Sequence, residues 1–350
     1  MQGKDIEIQA LIDRYKHLES IVDELLRKVL VNNVSLIHIT HRIKTIDSIK
    51  GKLERKPEQY SSPDEIYDIL GFRVICYFSD DVDLTARVIS EHFMVDRKKS
   101  KDKRAIIDAR SFGYVALHYV CALPEEYGEL SNLPFEIQIK TLLQHGWAEI
   151  EHDLGYKTEI EVPRNIRREF SRAASLLETA DDIFSDIRKK LQEYSMTVKQ
   201  DIENQNLDGI FFDKITLAEF TSHNKVYRNL LHEIAAITNA RISERSPESQ
   251  LQLIEFLEIY TLGDMVRLIN EQHGLIMELA GKLLRGSEID ELSSTAAYHF
   301  IFRAKLISSS YSREKIREFF MLTTKNEKSI ESNTDKIIEE REKKSRRLSQ

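Results

Sequence analysis

In the run FEIQIKT (135–141), Glu136, Gln138 and Lys140 alternate with Phe135, Ile137 and Ile139. Along a strand this sends an acid, an amide and an amine to one face and the apolar side chains to the other. Such a polar face is either bathed in solvent or lines a site. YVALHYV (114–120) repeats the pattern, with Tyr114, Ala116 and His118 sharing a face. Asp68 stands just before a third apolar run, GFRVICYF (71–78), at the entrance of a strand. Two carboxylates converging from neighbouring strands, here Asp68 and Glu136, hold magnesium by oxygen and leave positions open for phosphates. The cations are organised too. Arg42 and Lys44 stand where a first strand ends, and Ser48 and Lys52 share one face of the helix that follows. A helix N-terminus flanked by such donors is a phosphate site. The basic stretch RKKSKDKR (97–104) and Arg110 add further positive charge before Tyr114, which points to a polyphosphate ligand.

The elements that must position these residues follow from periodicity. Residues 5–31 carry apolar positions at helical spacing, and VSLIHITHR (34–42) switches to a period near two. Thr45 or Asp47 caps a helix through about 53, and Ser62-Pro63 opens a short helix over 63–69. Strands at 71–78, 93–97, 114–123 and 134–141, with a helix at 81–92, complete an α+β domain with a mixed five-stranded sheet. From about Thr141 onward the chain reads as helical. A long amphipathic helix follows Pro163, and further helix starts stand at Thr216 with Glu219, at Ser246-Pro247 and at Ser287 with Asp290. The expected organisation is a first domain at 1–200, an all-α domain at 205–323, and a charged, frayed or disordered tail at 324–350.

With 350 residues, 31% charged and 41% hydrophobic, the chain is too long for one ordinary core and is globular in composition. Its net charge of −7 excludes a general grip on nucleic-acid backbone, so any polyanion must be met by a local basic cluster. Cys76 and Cys121 lie in apolar runs and read as buried thiols of a reducing compartment. The sequence shows neither a signal peptide nor a transmembrane stretch, and the expected location is the cytoplasm without membrane attachment. His223, His232, His273 and His299 have no metal-ligand spacing, and Glu149, Glu151 and Asp153 read as a solvated helical face.

The ordered set HRIKTIDSIKGKL, EIYDILGFRVICYF, FGYVALHYV and FEIQIKTLLQHGWAEIEHDLGYK resembles the RelA/SpoT synthetase domain, in particular the small single-function alarmone synthetases. The likeness runs through roughly residues 30–200. It implies a nucleotidyltransferase-like sheet flanked by helices, and magnesium-dependent transfer of the β,γ-pyrophosphate of ATP to the 3′-hydroxyl of GDP or GTP. Carried over position by position, Arg42, Lys44, Ser48 and Lys52 fall on the ATP-binding motif. Asp68 falls on the metal-ligand aspartate, and Glu136 on a second ligand or general base. Tyr114 matches the tyrosine that stacks on guanine, while Gln138, His118 and His145 match polar positions of the acceptor pocket. Two departures stand out. DKRAIIDARSFGY replaces the usual Asp-Tyr before the guanine loop, and Arg110 stands where many members have lysine. The hydrolase domain of the long bifunctional members is missing from this sequence, so product degradation is not expected.

Two other readings stay open at this point. The acceptor could be the 3′ end of tRNA, as in toxic relatives of the family. Alternatively, the core could sense nucleotide while the helices of 205–323 dock a protein partner or a second copy.

Overall fold

The computed structural model describes residues 2–31, 33–102, 116–154 and 163–348. It divides into two compact units, Met1–Lys189 and Lys190–Gln350. Among the described residues, no helix is long and apolar enough to cross a membrane.

The first unit opens with helix α1 (Gln2–Leu30), whose stripe of Ile8, Leu11, Tyr15, Leu18, Val22 and Leu26 is buried. The Tyr15 hydroxyl donates to the Pro134 carbonyl at 2.9 Å, which satisfies the polar end of a ring otherwise in the core. Strand β1 (Leu36–Ile43) and helix α2 (Ile46–Arg55) follow, with the Thr45 hydroxyl accepting the Ser48 N–H at the helix start. The helix expected over 63–69 is reduced to one 3-10 turn, Pro63–Glu65. Ser62 provides no side-chain cap there, and Ile66 turns to extended backbone, so that Ile66 and Ile69 both enter the core.

Next come β2 (Leu70–Cys76), α3 (Ser79–His92), β3 (Met94–Val95), β4 (Lys101–Asp102), β5 (Leu117–Ala122) and β6 (Phe135–Thr141). Among the described residues the sheet therefore has six strands where the sequence reads five, in the order β1-β2-β6-β5-β3 with β4 also on β5. Among the described residues of this sheet, β2 and β6 run parallel and the other pairings are antiparallel. The extra strand lies within the stretch read as a basic loop. Asp96 gathers the Lys98 and Lys99 N–H groups, and Ser100 Oγ accepts from the Val120 N–H at 3.0 Å. The chain thus leaves the edge of β5 for one turn and rejoins it at Lys101.

Alternation then sorts the sheet into two faces. Ile39, Phe72, Val74, Ile137, Ile139, Leu117 and Tyr119 form one core with α1 and α3. Cys76 and Cys121 are buried in that core and unpaired, and burial pushes the Cys76 thiol up to about 11. Helix α4 (Leu142–Asp153) packs against β2 and β6. Its start is fixed twice: Thr141 and Gln144 form a capping box, and Thr141 Oγ1 donates to buried Asp181 at 2.5 Å. Asp181 belongs to α5 (Arg164–Glu203), and the division between the units falls within this helix.

The second unit holds α6 (Lys214–His223), α7 (Lys225–Ala236), β7 (Arg241–Ser243), α8 (Leu251–Phe256), α9 (Leu262–Leu284), β8 (Glu291–Ser293), α10 (Ala296–Ser308), α11 (Arg313–Thr323) and α12 (Glu327–Leu348). The expectation of an all-α region is corrected in one place, because β7 and β8 pair in parallel. That pairing displaces the helix start read at Ser287, and α10 begins at Ala296 instead. Helix α6 starts two residues before Thr216, where Asp213 accepts the Ile215 and Thr216 N–H groups. The segment expected as a frayed helix or disordered tail forms the helix α12. Ile330, Thr334 and Ile337 bury a stripe at helical spacing, and Arg341 donates to the Leu306 and Tyr311 carbonyls. A narrow stripe in an otherwise charged segment is enough when a groove is there to receive it.

Candidate active site

Because β1, β2, β6 and β5 are in register, side chains on the face opposite the α1 core line up across the sheet. One row runs Arg42, Gly71, Glu136, Val120, and the next runs Thr40, Arg73, Gln138, His118. Over these rows lies a cavity of about 540 Å³. Six of the residues selected from the sequence line it: Arg42, Lys44, Asp68, Glu136, Gln138 and His145.

Asp68 sits in the turn before β2, gripped from two sides. Lys44 Nζ donates to Oδ2 at 2.8 Å and to the Asp68 carbonyl at 2.9 Å. Lys52 Nζ donates to Oδ1 at 2.7 Å and stands over the Tyr60 and Tyr67 rings at 4.9 and 5.3 Å. Burial pushes the Asp68 carboxyl up, but the two lysines outweigh it and hold it below the usual carboxylate value. Lys52 therefore reaches the cavity through Asp68. Ser48 is not among the lining residues; it is exposed in the first turn of α2, where its hydroxyl accepts from Thr45.

Glu136 is held by its own face of the sheet. Its Oε1 lies 2.9 Å from His118 Nδ1, and its Oε2 accepts from Gln138 Nε2 at 2.7 Å. Burial raises its carboxyl and Asp68 adds a smaller push upward, yet His118 and Gln138 bring it below the usual range. Two ionised carboxylates thus face one cavity, and Glu136 feels the charge of Asp68.

Several residues the sequence reading did not select complete the site. Arg73 Nη1 donates to Glu149 Oε1 at 3.1 Å, and both line the cavity with Thr40 and Gly71. Glu149, read as part of a solvated face, is half exposed but has this fixed cation. A lone arginine inside GFRVICYF was the available signal, because a cation in a buried run needs an anionic partner. Lys140 is 5% exposed, and burial, with Arg73 and Arg42 nearby, pushes its amine down to about 8. His145 is lowered as well, first by burial and then by Lys140. Its Nδ1 is buried and has no hydrogen-bond partner among the described residues. Trp147, in contrast, is packed edge-on against Phe170 and belongs to the core. Tyr114 and Arg110 lie outside the described residues.

The donor set suits a divalent ion of the magnesium type. Each oxygen of Asp68 accepts one lysine proton and keeps a second lone pair, and Glu136 opens on the same space. No group of three or more His, Cys, Asp or Glu that could hold a metal occurs among the described residues. Magnesium does not require one, since it binds through one or two carboxylates and completes its shell with water and substrate phosphate.

The family described as the region found in RelA / SpoT proteins matches residues 41–161. GTP pyrophosphokinase YjbM of Bacillus subtilis (strain 168) is 31% identical over 160 residues, covering 44% of this chain and 73% of that protein. GTP pyrophosphokinase YwaC of the same organism is 30% identical over 158 residues, covering 44% of this chain and 74% of its own length. Among solved structures, the small alarmone synthetase 1 from Bacillus subtilis is similar at 28% identity, with a TM-score of 0.45. That likeness covers 54% of this chain and 99% of the other.

Proposed function

The chain belongs to the RelA/SpoT family, and from that premise we propose that it is a GTP pyrophosphokinase making (p)ppGpp. The reaction moves the β,γ-pyrophosphate of ATP to the 3′-hydroxyl of GDP or GTP. One observation carries the reading: Asp68 and Glu136, both held ionised, open on one cavity beside Arg42, Lys44 and Arg73.

In the proposed mechanism Arg42, Lys44 and Arg73 bind the ATP phosphates along the first strands. Lys52 keeps Asp68 oriented and ionised. Asp68 and Glu136 would hold magnesium, which when bound supplies charge neutralisation at the phosphates. The acceptor 3′-oxygen forms a bond to the β-phosphorus as the bond from that phosphorus to the α–β bridging oxygen breaks. AMP departs with the electron pair on its α-phosphate. The hydroxyl proton passes to Glu136, whose lowered carboxyl makes it a weak base that accepts late, once the new P–O bond is well advanced. Gln138 and His118 fix Glu136 on the acceptor side, and His145 lines the same cavity with Glu149 beside its Nδ1. Tyr114 and Arg110 are assigned to the guanine nucleotide, and Ser48 to the ATP side, on the resemblance of their motifs. Most of the acceleration then comes from positioning and electrostatics.

Incubation with β-labelled ATP and, separately, GDP, GTP or tRNA tests this. Label should move to the guanine nucleotides with release of AMP. Transfer to tRNA alone would replace the acceptor, and nucleotide binding without any transfer would replace the enzyme by a sensor.

A further inference from the structure

The second unit carries a cleft of its own. It is bounded by α8, α10, α11 and the start of α12 and has a volume of about 580 Å³, within the range of small-molecule sites. Phe302, Phe319 and Phe320 give it an apolar wall, and Thr323 and Asn333 contribute polar groups. The lining contains neither aspartate nor glutamate, and its one permanent charge is Arg303.

Arg303 is unlike the other arginines around it. Arg313, Arg317 and Arg267 each hold carboxylates at 2.6–3.0 Å. Arg303 uses Nη1 on His299, at 2.9 Å to Nδ1 and 3.4 Å to the carbonyl, and its guanidinium stands over the Phe320 ring at 5.5 Å. Its Nε and Nη2 have no hydrogen-bond partner, and no carboxylate lies within ion-pair distance, among the described residues. Burial pushes the guanidinium down to about 10, so it stays a cation at neutral pH while poorly solvated. The exposed His299 imidazole accepts from Arg303 through Nδ1 and so orients the guanidinium.

We propose that this cleft binds a small organic anion with one acidic group on an apolar or aromatic body. Arg303 receives the acid through Nε and Nη2, a fork suited to carboxylate or phosphate. The phenylalanines cover the body, and Thr323 and Asn333 bond to its polar substituents. The same inventory excludes other classes. A single cation cannot neutralise a triphosphate, so ATP and GTP are not the ligands of this cleft. Without a lining carboxylate, an amine or an amino acid leaves its ammonium unpaired.

The test uses the full chain and three probes of one shape: 3-phenylpropionate, phenyl phosphate, and neutral 3-phenylpropanol. Ligand-observed NMR and calorimetry should show an acid binding at least about tenfold more tightly than the alcohol, the worth of one charge-assisted contact. Which acid binds better separates a carboxylate ligand from a phosphomonoester. In Arg303→Gln the acid should fall to the level of the alcohol, with the alcohol unchanged. The proposal is overturned if neither acid binds, if acid and alcohol bind equally, or if Arg303→Gln holds the acid as the native chain does. Should Arg303→Gln fail to fold, the comparison of acid with alcohol on the native chain decides alone.

Discussion

His118 Nδ1 and Glu136 Oε1, from adjacent antiparallel strands, lie 2.9 Å apart on the polar face of the sheet. An ionised carboxylate has no proton to give, so the imidazole Nδ1–H is the donor. Burial works against the Glu136 anion, and His118 is the largest influence restoring it. Removing the imidazole should therefore let the carboxyl rise. In His118→Ala the acid limb of the kcat profile should move to higher pH, with activity retained on the alkaline side. An acid limb that stays in place in this variant would show that Glu136 does not control it.

Asp68 pairs with two lysines at once, and Asp68→Asn should lower kcat by about a hundredfold or more. The stability consequence has a definite sign. The folded carboxyl lies below its unfolded value of 3.8, so its contribution is present above that pH and is lost as pH falls through the folded value. The native chain should melt above Asp68→Asn near neutral pH, with the gap closing in strong acid. A melting difference that does not change with pH would disprove the linkage.

How far these residues were legible in the sequence depended on what each one does. Glu136 and Gln138 were readable because a two-residue period exposes a polar face inside an apolar strand. Asp68, Lys44 and Lys52 were readable as charges in order, but their mutual grip depends on how the turn before β2 meets α2, which spacing does not encode. Arg73 was hidden because the strand around it reads as wholly buried. Its place in one row with Gln138 follows only from the parallel register of β2 and β6. For the last segment the sequence offered a frayed helix or a disordered tail without deciding: α12 carries its apolar residues so sparsely that the groove receiving Ile330 and Ile337 had to be seen. Likewise the pairing of β7 with β8 joins segments some fifty residues apart, beyond the reach of local periodicity.

Gly71 occupies the row between Arg42 and Glu136, and a Cβ placed there would meet nothing within 4 Å. A side chain at this position can therefore be added without disturbing the fold, and it would project into the cavity floor. Gly71→Val should melt within a few degrees of the native chain while KM for ATP rises about tenfold or more, as substrate volume is lost. Normal kinetics in a folded variant would place the nucleotide elsewhere.

Lys140 offers the clearest separation of stability from function. It is buried beside Arg73 and Arg42, and its amine is brought down to about 8 from the unfolded value of 10.5. A group whose charged form is disfavoured in the folded state weakens folding while it stays protonated, here by roughly 3 kcal/mol. The penalty is full below pH 8, fades between 8 and 10.5, and is absent above. Lys140→Met keeps the aliphatic stem and removes the charge, so it should melt above the native chain near neutral pH, with the difference vanishing toward pH 10.5. Its KM for ATP should rise several-fold at most, since Lys140 stands behind Arg42 and Arg73 and is not itself part of the cavity lining. Native melting that lies above the variant at neutral pH would mean that Lys140 is paired with an anion in solution. A KM unchanged by the loss of the charge would mean that the amine serves the fold and not the nucleotide.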